Sequence, residues 1–106
     1  MEKKQTAGRD RLGDFASQFA ALNDDVLFGE VWSREDKLSA HDRSLITCSA
    51  LITMGAPQVE DHLKIAKDNG VTKDEIVELI THVAFYAGWP KAWSAFNLAK
   101  EIYTDQ

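Results

Sequence analysis

The chain has 106 residues, room for one hydrophobic core, and its 44% hydrophobic and 27% charged composition is that of a folding globular chain. A net charge of −5, with Lys and Arg gathered on no single stretch, argues against DNA or RNA as a partner, because phosphate binding draws on clustered cations. No run nears the roughly 20 apolar residues of a membrane span, the start Met1-Glu2-Lys3-Lys4-Gln5 lacks a leader's apolar run, and a lone cysteine, Cys48, excludes an intramolecular disulfide; one cytoplasmic domain over residues 1–106 is expected.

Leu12, Phe15, Phe19 and Leu22 recur at three- and four-residue steps, so a first amphipathic helix is expected over residues 10–22. Asn23-Asp24-Asp25 follows with capping side chains, and the short apolar segment from Val26 to Trp32 reads either as a helical turn or two or as loop. Ser39, with Asp42 three positions on, can cap a helix over residues 41–54 whose interior, Leu45-Ile46-Thr47-Cys48-Ser49-Ala50-Leu51-Ile52, is apolar or small on nearly all sides. Such a helix is expected to be central. Gly55 ends it, Pro57 opens the next, and Val59, Leu63 and Ala66 form that helix's stripe up to Gly70. Thr72 with Glu75 is a capping box and the best-defined boundary in the chain. Ile76, Ile80, Val83, Ala84 and Ala87 give the helix it opens a wide buried face. Gly88 stops that helix, and Trp89-Pro90 begins a last one striped by Ala92, Phe96, Ala99 and Tyr103. The expectation is an all-α fold of five or six helices with a central helical hairpin.

Three tryptophans and five phenylalanines are many for so small a core. Trp93, Val77 and Phe85 fall away from the buried faces of their helices, so part of this surface is expected to meet another subunit.

Glu78, His82 and Tyr86 stand at successive four-residue steps and form one row of polar tips, with Trp89 just beyond. They form either a site wall or an ordinary surface pair beside a tyrosine at the core's edge. His62 sits beside the stripe of Val59, Leu63 and Ala66, where a histidine is commonly a partly buried structural residue. Its helix and that of His82 are consecutive and joined by a short turn. An antiparallel pairing of the two would let the imidazoles approach. His41, near a helix start, reads as solvated and without a role. The sequence has no His-Glu-x-x-His, no EF-hand loop and no cysteine pair, so no metal is expected. Cys48, in the most apolar helix, reads as an inert buried thiol.

From Trp32 onward the chain resembles the carboxymuconolactone decarboxylase family, whose fold is alkylhydroperoxidase D-like. The resemblance lies in Val31-Trp32-Ser33-Arg34, Asp42-Arg43-Ser44-Leu45-Ile46-Thr47, His62, Asn69-Gly70-Val71-Thr72-Lys73-Asp74-Glu75-Ile76, and His82-Val83-Ala84-Phe85-Tyr86-Ala87-Gly88-Trp89-Pro90-Lys91-Ala92. It implies helices throughout and a homo-oligomeric ring, a trimer or hexamer. One branch of the family runs a disulfide cycle on Cys-x-x-Cys-x-x-x-His with an upstream Glu. Counting back from His62, its cysteine positions are Gly55 and Gln58 here, and its acid falls at Ser44 or Arg43. With both thiols missing that cycle cannot run, and a peroxidase or thiol antioxidant activity is the lesser reading.

The other branch implies decarboxylation of 4-carboxymuconolactone, or a related small lactone acid, in aromatic catabolism with no cofactor. Such a site must hold an anionic substrate, strip water from the departing carboxylate and protonate a dienolate. On the resemblance, Arg43 or Arg34 clamps a carboxylate. Trp32, Phe85 and Trp89 form an apolar wall. His62 or His82 delivers the proton, oriented by Tyr86 or Glu78. A non-catalytic binding or scaffold ring is the remaining alternative, since fold alone does not separate the two.

Overall fold

In the computed structural model, residues 5–104 are described; Met1-Glu2-Lys3-Lys4, read above for a leader, lies outside them. Among the described residues every regular element is helical: α1 (Ala7–Leu12), α2 (Ser17–Ala21), a π-helix (Leu22–Val31), α3 (Ala40–Met54), α4 (Val59–Asp68), α5 (Lys73–Ala87) and α6 (Trp89–Ile102). They divide into two units, Met1–Ala40 and His41–Gln106.

The first unit is organised by one carboxylate. Asp24 is buried and accepts the backbone N–H of Gly8 at 2.9 Å and of Arg9 at 3.0 Å, with the Asn23 amide at 3.0 Å. Arg9 reaches on to Asp25 through a two-pronged pair at 2.9 and 2.7 Å. Burial works against the Asp24 charge. The Asn23 amide, the two backbone donors and the Arg9 guanidinium outweigh it and hold the carboxyl below its ordinary value. A side chain at Gly8 would meet the Ala20 carbonyl and the Asp24 carboxylate at 2.7 Å, so only glycine lets α1 approach this closely.

The continuous helix expected over residues 10–22 is therefore broken. Chain between Gly13 and Ala16 separates α1 from α2, and Leu12, Phe15, Phe19 and Leu22 stay exposed within the unit, Phe15 by 91%. Gly8, Ala20 and Asp24 form the contact in their place. The segment from Val26 to Trp32 is helical but wound wide, closed by Trp32 N–H on the Leu27 carbonyl five residues back at 2.9 Å. Trp32 stacks on Phe28 at 5.7 Å.

In the second unit α3 to α6 share one core of Cys48, Ile52, Val59, Leu63, Ala66, Ile76, Ile80, Ala92, Ala95, Ala99 and Tyr103 with their neighbours. The stripes expected on α4, α5 and α6 face this core, with Ala87 and Phe96 of the expected residues only partly buried. On α3 burial is one-sided: Ser44, Cys48 and Ile52, at four-residue steps, face inward while Ile46 and Met54 are exposed, so α3 is not enclosed all round within this unit. Gly55 and Gly70 take φ of 71° and 88° and close α3 and α4 with the six-to-one bonds Ala56 N–H to Leu51 O at 3.0 Å and Val71 N–H to Ala66 O at 2.9 Å. Both bonds of the Thr72 capping box form, Glu75 N–H to Thr72 Oγ1 at 3.1 Å and Thr72 N–H to Glu75 Oε1 at 2.9 Å.

The helix pairs in close register are α5 with α6 and α4 with α6. The hairpin that forms thus turns at Gly88, where φ is 106°, and not between α4 and α5. Tyr103 at the end of α6 donates to the Val71 carbonyl at 2.8 Å, and Lys67 on α4 donates to the Ile102 carbonyl at 3.0 Å, tying the same ends together.

Candidate active site

His62 sits on α4 one residue from the buried Leu63. It is half-buried, and its Nδ1 atom is fully shielded from solvent. Burial lowers its pKa from 6.5, partly offset by the nearby Asp61 carboxylate. At neutral pH this imidazole is mostly uncharged in the free protein, in a setting where an arriving anion would favour protonation. The His62 backbone carbonyl accepts the Cys48 thiol at 3.5 Å. Burial pushes that thiol up to about 11, the opposite of what a nucleophilic cysteine needs.

His82 lies on the exposed side of α5 with Glu78 one turn before and Tyr86 one turn after, so the expected row exists. Its contact is ring on ring, His82 to Tyr86 at 5.2 Å. The Phe85 ring meets Trp89 edge-on at 6.0 Å beside it. All are open to solvent within the unit: Phe85 is 77% and Tyr86 79% exposed. The structure does not bring His62 and His82 together, because α6, not α5, is the close partner of α4. Arg43 is half-buried on α3. Trp32 and Arg34 belong to the first unit, where Trp32 is half-buried against Phe28 and Arg34 is exposed.

Among the described residues of the second unit, two cavities stand out. The larger, about 580 Å³, is an apolar groove between the start of α5 and the end of α6, walled by Ile76, Val77, Trp93 and Phe96 with Lys73 and Lys100 at its margin. The smaller, about 400 Å³, lies between the turn at residues 55–57 and the first turns of α6, with Val59 in its wall. None of the nine candidate residues lines either one. Val59 is, however, one helical turn before His62 on α4. Among the described residues no three His, Cys, Asp or Glu side chains converge as a metal site would need.

His41 was expected to be solvated. It is partly buried instead, with Nδ1 2.9 Å from Asp42 and Nε2 3.0 Å from Glu75, the same carboxylate that caps α5. Nothing local in the sequence marks a contact between residues 41 and 75. Gly55, at the first cysteine position of the redox branch, has a left-handed backbone that side chains rarely adopt, so the turn is shaped for glycine as well as lacking sulfur.

A family model for the carboxymuconolactone decarboxylase family matches residues 17–101. The chain belongs to the carboxymuconolactone decarboxylase family. Among this family member's relatives is a 4-carboxymuconolactone decarboxylase of Acinetobacter baylyi, 39% identical over 105 residues, covering 98% of this chain and 78% of that protein. An uncharacterised 15.0 kDa protein of Paracoccus denitrificans is 32% identical over 77% of this chain and 63% of its own length. A nitrosuccinic acid decarboxylase of Metarhizium robertsii is 34% identical over 74% of this chain and 54% of its own length. No described helix of this family member is long and apolar enough to cross a membrane.

Proposed function

We propose that this chain is a carboxy-lyase that decarboxylates 4-carboxymuconolactone or a closely related small lactone acid, acting as one cytoplasmic domain over residues 1–106. The observation that carries the reading is the 39% identity to a 4-carboxymuconolactone decarboxylase across 98% of the chain. In the reaction the bond to the carboxylate carbon breaks, carbon dioxide leaves, the electron pair spreads into the lactone as a dienolate, and one proton is returned to carbon. The protein must supply an anion-binding group, a dry wall and that proton.

His62 is the leading proton donor. Half-buried and with a lowered pKa, it takes up its proton as the anionic substrate arrives and gives it to the dienolate. His82 is the other candidate, oriented by Tyr86 or Glu78. Its exposure within one chain means that this role needs a second subunit over the face of Phe85 and Trp89. Arg43 clamps a carboxylate, and Phe85 and Trp89 form the apolar wall. A homo-oligomer, a trimer or hexamer, supplies the cover. The buried thiol of Cys48 supports neither the peroxidase nor the thiol antioxidant reading.

The purified chain is expected to release carbon dioxide from 4-carboxymuconolactone without added cofactor. His62→Gln lowers kcat on the order of 100-fold or more, the worth of a positioned general acid. Since the donor must carry its proton, kcat/KM falls as pH rises through a value below 6.5, and His62→Gln removes that inflection. If His62→Gln and His82→Gln both turn over at the parent rate on a folded oligomer, the proton-donor assignment is wrong.

A further inference from the structure

The smaller cavity of the second unit carries chemistry that none of the nine candidate residues accounts for. Its wall is apolar apart from Lys91 and Ser94, and no Asp or Glu lines it, although the chain carries a net charge of −5. The acids nearest in sequence, Glu60 and Asp61 on the first turn of α4, stay out of the wall, and Glu60 faces Lys64 at 3.7 Å. Lys91 is held in place: its Nζ donates to the Thr53 carbonyl at 2.9 Å, bridging the end of α3 to the first turn of α6. Its stem crosses the turn, with Cε 3.5 Å from where a side chain on Gly55 would begin. An ammonium has three N–H donors, and the Thr53 carbonyl takes one, leaving two for a ligand.

We propose that this pocket binds the carboxylate of a small lactone acid and that Lys91 anchors it. The volume, about 400 Å³, is at the small end of the range for ligand sites and suits a compact ring rather than a chain or a cofactor. A cation tethered to the Thr53 carbonyl beside an apolar, acid-free wall selects one negative charge, because no carboxylate of the wall competes for the ammonium. Ser94, three residues on along α6, is placed to add a hydroxyl to the same ligand. Val59 puts the pocket one turn of α4 from His62, the leading proton donor. The choice of a lactone acid rests on the decarboxylase reading; the anion preference rests on the pocket alone.

The test uses the full chain and paraconate, a saturated γ-lactone carboxylate, with its methyl ester as the neutral counterpart, followed by amide chemical-shift titration. Paraconate is expected to shift the amides of Gly55, Ala56, Lys91 and Ser94, and the ester is not. Lys91→Met is expected to weaken binding about tenfold or more, the worth of a charge-assisted bond, while Lys91→Arg keeps most of it. Ser94→Phe, a substitution at an exposed position that fills the pocket, is expected to abolish binding with helicity unchanged. Equal affinity of the parent and Lys91→Met, or shifts confined to the groove at Lys73 and Lys100, would overturn the proposal. If paraconate binds at Lys91 but 4-carboxymuconolactone is not turned over, the decarboxylase reading fails and the anion site stands. If turnover occurs and Lys91→Met leaves KM unchanged, the site fails and the activity stands.

Discussion

His41 shows how a single side chain joins distant parts of this fold. It contacts two carboxylates, and its pKa is raised above 6.5 chiefly by the hydrogen bond to Glu75 and then by that to Asp42. A group whose folded pKa is raised contributes stability that is fully present below its unfolded value and is lost as pH rises through the folded one. From pH 6.5 upward the parent is therefore expected to lose stability relative to His41→Asn, read from urea midpoints of both across that range. Comparing the two cancels the opposite contribution of His62, which is present in both. Parallel midpoint curves would remove His41 from the account. Cys48 belongs to the same scale: burial that raises its pKa also makes it a packing residue, and its thiol donates to the His62 backbone carbonyl.

At the scale of elements, helix ends were legible wherever the signal was local. A capping box needs only residues three apart, and a glycine terminator only its own φ, so the start of α5 at Lys73 and the ends of α3 and α4 follow from the sequence. Thr72→Ala removes the acceptor for the Glu75 amide and is expected to cost about 1 kcal/mol, measured as a lower denaturant midpoint with an unchanged slope. An unchanged midpoint would mean that the Glu75 side chain alone holds the first turn. The break between α1 and α2 was not legible. The apolar repeat of Leu12, Phe15, Phe19 and Leu22 promised one continuous helix, but the Asp24 carboxylate bonds Gly8 and Arg9 from 15 or 16 residues away, a contact that no periodicity encodes.

At the scale of the whole molecule, the second unit leaves Val77, Phe85, Tyr86, Trp89 and Trp93 exposed on α5 and α6. This is more aromatic surface than a soluble monomer commonly shows, and it calls for a covering partner. The double variant Phe85→Glu with Trp93→Lys is expected to sediment as a monomer with helicity retained, whereas the parent sediments as an oligomer. A parent that is itself monomeric, or a variant that stays assembled, would place the interface elsewhere. The candidate site divides on the same line. Sequence reading placed His62 beside a buried stripe, and the Glu78, His82 and Tyr86 row on one helix face; the structure has both.

By itself, then, the sequence determined that the chain is helical, where α4, α5 and α6 lie, and which faces of them are apolar, because these depend on interactions within one or two turns. It also determined that the cysteine pair is missing. Only the tertiary structure decided that α6 rather than α5 packs on α4, that His41 straps Asp42 to Glu75, that Asp24 clasps α1, and that Lys91 spans the turn at Gly55. Each of these joins groups that are far apart in the chain or brought close only by packing. Their partners are chosen by shape and by the need of buried polar groups for hydrogen bonds, and neither leaves a repeating mark on the sequence.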